Sequence, residues 1–109
     1  MFEHVSNGQT FGYHLTEYAI LIRKRDGSDA SLLSYENHRD CLTNVITHAD
    51  KYKSINDAIA SYKERIFCVE YYIDTKVYDT RNVEIVPVYT TIETGKGQTM
   101  EELHVNLND

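Results

Sequence analysis

The side chains in this chain best suited to chemistry are two cysteines and five histidines. His38, Cys41 and His48 fall close together, with Asp40 and Asp50 beside them. Imidazole, thiolate and carboxylate are the ligands that zinc takes in tetrahedral sets, so this cluster is the candidate metal site. Zinc sites legible in a sequence repeat a closely spaced ligand pair. His38 and Cys41 make one such pair, and no second pair follows. The plainer reading is a polar connector with Cys41 facing inward, and no cofactor is expected. A cysteine–histidine nucleophile built on Cys41 or Cys68 would also need an orienting group and an oxyanion hole. No local motif supplies them. Gly95-Lys96-Gly97 lacks the spacing and the Ser/Thr of a phosphate loop and reads as a flexible turn. The chain is therefore expected not to be an enzyme.

The nine tyrosines carry more weight. Tyrosine offers a large contact area at little rotamer entropy, and its hydroxyl tolerates water. Residues 67–78 alternate in character. Phe67, Val69, Tyr71, Ile73, Thr75 and Val77 would share one face of a half-buried strand. Glu70, Tyr72, Asp74 and Tyr78 would share the other, and Tyr89 on a neighbouring strand would flank them. A surface of tyrosines and carboxylates is a candidate protein-binding patch, able also to imitate the phosphates of a nucleic acid. The alternative is that this face is roofed over by other parts of the chain.

Charge narrows the partners. The net charge is −6, and the excess is uneven. Residues 1–53 hold six basic and seven acidic side chains, and residues 54–109 hold five and ten. A general nucleic-acid binder needs a basic face to displace counterions. Arg23-Lys24-Arg25 is the one small basic cluster, and Asp26 and Asp29 follow it closely. Direct nucleic-acid binding is thus disfavoured, while carboxylates offered to a basic partner fit the acidic second half. Apolar runs such as Tyr18 to Ile22 reach only about five residues, against about 20 for a membrane-spanning helix. Met1-Phe2-Glu3-His4 lacks a basic start and an apolar stretch, so a cytoplasmic location is expected, with both thiols reduced.

The elements that would position these groups follow from periodicity. A length of 109 residues and 41% hydrophobic content suit one domain, with loose ends near 1–12 and 94–109. Residues 1–12 read as irregular, with turn formers at Asn7-Gly8 and Gly12. Tyr18 to Ile22 forms a strand, Asp26-Gly27-Ser28-Asp29 a hairpin turn, and Ala30 to Tyr35 the returning strand. Residues 36–53 read as a short helix or irregular connector. Ser54 caps the clearest helix, with Asp57 adding charge to its first turn. Ile55, Ile59, Tyr62 and Ile66 form its apolar stripe, and its end is expected near Ile66 or Phe67. Val83 to Glu93 is the last strand, placed at an edge or given a bulge by Pro87. Thr99 and Glu102 resemble a capping box that would open a short C-terminal helix. The expected fold is α+β, with a mainly antiparallel four-stranded sheet and one principal helix on one face, in ββ-α-ββ order.

In this arrangement the chain resembles small uncharacterised accessory proteins of bacteriophages and prophages. The matching pieces are Tyr18-Ala19-Ile20-Leu21-Ile22, Leu32-Leu33-Ser34-Tyr35, the stretch from Ala49 to Ala58 that enters the helix, and Val83-Glu84-Ile85-Val86-Pro87-Val88. Together they span roughly residues 17–88. The resemblance implies a viral accessory role and no catalytic residues. Its partner would be a host protein, including a component of a defence system such as a CRISPR nuclease, which binding would block or redirect. Two other functions compete with this one. Tyrosines could stack on single-stranded nucleic acid, against the charge. Alternatively, the edge strand near Pro87 could pair with another copy in a structural assembly.

Overall fold

A computed structural model describes residues 11–108, and residues 2–6 by their backbone. Asn7-Gly8 lies outside the described residues. The strands are β1 (Phe2–Ser6), β2 (Phe11–Arg23), β3 (Ala30–Glu36), β4 (Arg39–Thr43) and β5 (Glu84–Glu93), with one long helix, α1 (Ile55–Tyr72). The α+β class, the antiparallel sheet and the principal helix match expectation. The order does not, because four strands precede α1 and one follows it.

The 13-residue strand β2 is the spine of the sheet. One of its edges is shared in sequence by β1 at residues 11–15, by Tyr52 at Tyr18, and by β3 at residues 21–23. Its other edge carries β5 without a bulge, from Gly12↔Glu93 to Leu21↔Glu84. β4 completes the order on β3. The turn at Gly27, with φ +74°, joins β2 to β3 as Asp-Gly predicts. Asn37 and His38 both have positive φ, 52° and 62°, and join β3 to β4 in two residues. Left-handed backbone at both positions matches the twist of a tight hairpin, for which asparagine is a favoured residue. Residues 39–43, expected in a connector, are therefore a strand. Residues 2–6 and 11–12 are likewise strand rather than irregular.

Helix α1 starts where its cap dictates. Ser54 is extended, and its Oγ accepts from the Asp57 N–H at 3.0 Å. The buried stripe is Ala58, Tyr62 and Val69, continued by Ile73 at the helix end. These residues pack on Ile20, Ile22 and Leu33, which share one face of the sheet. Spacings of four, seven and four keep one face inward for about four turns. That phase leaves Ile55 and Ile59 exposed, so the stripe expected from the isoleucines is rotated from the real one. It also carries the helix through Phe67 to Tyr72. The period-two pattern there is coincidental, because Val69 and Ile73 fit the helical period equally well.

Arg65 sits on the same inward face and bonds to four residues in three segments. Its Nε donates to Asp40 Oδ1 at 2.8 Å and its Nη2 to the same oxygen. Its Nη1 donates to Asp50 Oδ2 at 2.7 Å and to the Tyr52 hydroxyl at 2.8 Å. Nη2 also reaches the Ser34 carbonyl at 3.4 Å. Asp40 is buried on the helix-facing side of β4, and the Arg65 side chain is 17% exposed. Burial opposes the charge, but the hydrogen bonds it donates to Asp50 and Asp40 outweigh it and raise the guanidinium pKa above its ordinary value.

Removing one partner of a buried ion pair leaves the other charge stranded. Arg65→Ala should therefore lower the unfolding free energy by about 3–5 kcal/mol in a urea titration. Arg65→Lys should restore only part of it, because an ammonium cannot span these acceptors with the geometry of a guanidinium. A loss below about 1 kcal/mol for the alanine variant would show that the ion pair does not anchor the helix.

Candidate protein-binding site

The residues expected on one strand face are distributed by the helix. Glu70 and Tyr72 lie in the last turn of α1, Asp74 just beyond it, and Tyr78 in the following turn, where it bridges to Lys24. Glu70 is not free: its Oε2 accepts from Thr80 Oγ1 at 2.8 Å and from Arg81 Nε at 2.9 Å, and its Oε1 from Arg81 Nη2. Tyr72, Asp74 and Tyr78 do meet, along a pocket of about 300 Å³ whose far wall is Arg39 and Leu42 of β4. Tyr89 is elsewhere, on β5 opposite Thr16, and is 74% exposed. The shared strand face therefore does not exist, and three of its five residues are brought together by a different route.

The metal candidate does not assemble. Among the described residues no group of three or more His, Cys, Asp or Glu side chains could hold a metal ion. His38 is spent on the β3–β4 turn, and Cys41 lies on β4. His48 belongs to a single 3₁₀ turn, Ile46–His48, with its Nδ1 3.9 Å from Glu36. Both cysteines are free thiols, and Cys68 is exposed on α1 rather than packed inside.

The helical phase reveals two side chains that a strand reading assigns to the buried face. Phe67 and Tyr71, one turn apart, point directly away from the core and are 83% and 77% exposed. The Tyr72 ring, 48% exposed, meets Tyr71 edge-to-face with centroids 4.9 Å apart. Phe67, Glu70, Tyr71 and Arg81 line a shallow cleft of about 370 Å³. The available signal was the four-residue spacing of Phe67 and Tyr71, opposite the stripe of Ala58, Tyr62 and Val69. Arg81 gave none, since only the fold brings it to Glu70.

This end of α1 is held rigidly. Tyr62 lies under it, and its hydroxyl donates to the Thr80 carbonyl at 2.7 Å. Thr80 is fully buried and in turn donates to Glu70. The hydrogen bond from Arg81, then that from Thr80, holds the Glu70 carboxyl below its ordinary range. The loop that carries Arg81 is thus pinned to the helix from below by a tyrosine and from above by an ion pair. The product is a fixed aromatic surface with one charged rim. Comparison with family models, curated proteins and solved structures finds no match for the chain. Among the described residues no helix is long and apolar enough to cross a membrane.

The buried hydroxyl of Tyr62 predicts alkaline behaviour. Burial, then the charge of Glu70, pushes its pKa from 10 up to about 12. The unfolded chain releases this proton first, so stability is complete below pH 10 and declines as pH rises toward 12. The decline attributable to Tyr62 should be on the order of 2 kcal/mol. It is measured as the difference in pH slope between the wild type and Tyr62→Phe. Identical slopes in the two chains would refute the assignment.

Proposed function

We propose that this chain is a small, non-catalytic binding protein whose contact surface is the C-terminal end of α1. One observation carries the reading: Phe67, Tyr71 and Tyr72 project an aromatic cluster into solvent from a helix that is otherwise well anchored. Burying large aromatic surface is the main favourable term open to a folded domain, so leaving it in water makes sense when a partner covers it. Aromatic and arginine side chains at the centre, ringed by polar groups, make up the composition of binding hot spots. The Arg81–Glu70 pair and the pocket of Tyr72, Asp74 and Tyr78 form such a ring.

The resemblance to phage and prophage accessory proteins makes a host protein the favoured partner class, including a component of a defence system such as a CRISPR nuclease. Inhibition would follow from occupying a surface the partner needs. The acidic second half of the chain favours a partner with a basic rim.

A double variant tests this directly. Phe67→Ala with Tyr71→Ala removes two exposed rings and should shift stability by no more than about 0.5 kcal/mol. It should weaken the complex with a partner recovered from host cells by at least about a hundredfold in calorimetric titration. A double variant that binds as tightly as the wild type would remove this surface from consideration.

A further inference from the structure

The outer edge of β5 has no strand on it among the described residues, because β5 pairs with β2 alone. Tyr18 exchanges both of its backbone hydrogen bonds with Tyr52, each at 2.8 Å, so its peptide groups point away from β5. Its partner across the ladder is Pro87. In an antiparallel pair both residues of a non-bonded position face outward, and the alternation then repeats every second residue. The open edge therefore displays the N–H and C=O of Tyr89, Thr91 and Glu93, and only the C=O of Pro87. Proline interrupts this edge where the body of the molecule begins, and it is absent from residues 88–93.

We propose that two copies of this chain pair antiparallel through residues 89–93 of β5, about a twofold axis at Thr91. The register is self-complementary. Thr91 faces Thr91 of the other copy, and Tyr89 faces Glu93. Threonine pairs are favourable across strands, and no like charges meet directly. The two Glu93 carboxylates would be separated by about four residues of strand, roughly 14 Å, which is beyond the screening length of about 10 Å. A register centred on Tyr89 would instead set Pro87 against Thr91 and lose a hydrogen bond on each side. The helix-covered part of the sheet ends near Ile20 and Ile85, so residues 89–93 stand clear of α1 and a copy can approach. All five of them are exposed, with Ile92 at 62%. No lysine, arginine or bulge guards this stretch, although such devices are what keep other edge strands apart.

Sedimentation velocity and light scattering of the full chain across a dilution series test the proposal. The wild type should show a species of twice 12.6 kDa that dissociates on dilution. Thr91→Lys sets two ammonium groups opposite each other and should weaken association at least about tenfold at low salt, with partial recovery at high salt. Thr91→Val, which keeps the backbone and the strand propensity, should remain a dimer. The Phe67→Ala, Tyr71→Ala chain should also remain a dimer, which separates this contact from the aromatic surface of α1. A wild type that is monomeric throughout would overturn the proposal. So would a Thr91→Lys chain that associates unchanged, or a dimer abolished by the helix variants alone.

Discussion

One guanidinium ties the molecule together. Arg65 lies where α1 crosses the sheet, and its donors reach β4 at Asp40, the β3 carbonyl at Ser34, and the chain entering the helix at Asp50 and Tyr52. The segment from His48 to Tyr52 buries Ala49 and packs Tyr52 against the core. It is kept in place by the Asp50 N–H on Leu33, by the Tyr52–Tyr18 bridge and by this arginine. A hydrophobic side chain at position 65 would pack the helix but could not satisfy two inward carboxylates, and an unsatisfied buried charge costs more than the packing returns. The ion pair therefore ties α1 to β4 at Asp40 and to the segment entering the helix at Asp50.

The same logic explains why the C-terminal end of α1 can afford to leave aromatics in water. Its inward side is secured by Val69, Ile73 and the buried hydroxyl of Tyr62, and the following loop is fastened through Thr80 and Glu70. Rigid anchors lose little entropy when a partner arrives, so an aromatic cluster on such a base binds more tightly than one on a loose loop. The C-terminal residues close on themselves. Thr99 caps a single turn by accepting the Glu102 N–H, and His104, with φ +59°, closes it as Val105 bonds back to Met100. The expected C-terminal helix is thus one closed turn.

Much of the fold was legible wherever a local rule spoke alone. Ser54 with Asp57, the Asp26-Gly27 turn and the edge position of Pro87 each follow from one or two residues and neighbours close in sequence. The readings failed where two rules competed or where the cause was remote. Phe67 to Tyr78 is rich in aromatic and β-branched residues, which suit a strand, yet Val69 and Ile73 also continue the helical phase of Ala58 and Tyr62. Arg65 hid that phase by placing a charge in the apolar stripe. Asp40 hid β4 in the same way, since an inward carboxylate on a strand makes sense only with Arg65 across from it. The site suffered accordingly. Tyr72, Asp74 and Tyr78 converge, but Phe67 and Tyr71 become visible only once the helix is extended.

The central place of β2 sets the order in which the chain can be built. It leaves the ribosome well before its longest partner, β5, with Gly12 opposite Glu93. Ladder contacts between such distant residues close slowly, because the entropy of the intervening loop is lost before any bond rewards it. The β2–β3–β4 meander, by contrast, turns on itself through two tight hairpins and can form as soon as it is made. A nascent chain would thus carry one bare flank of its longest strand until β5 emerges, and that flank is where chaperones or stray strands would find it.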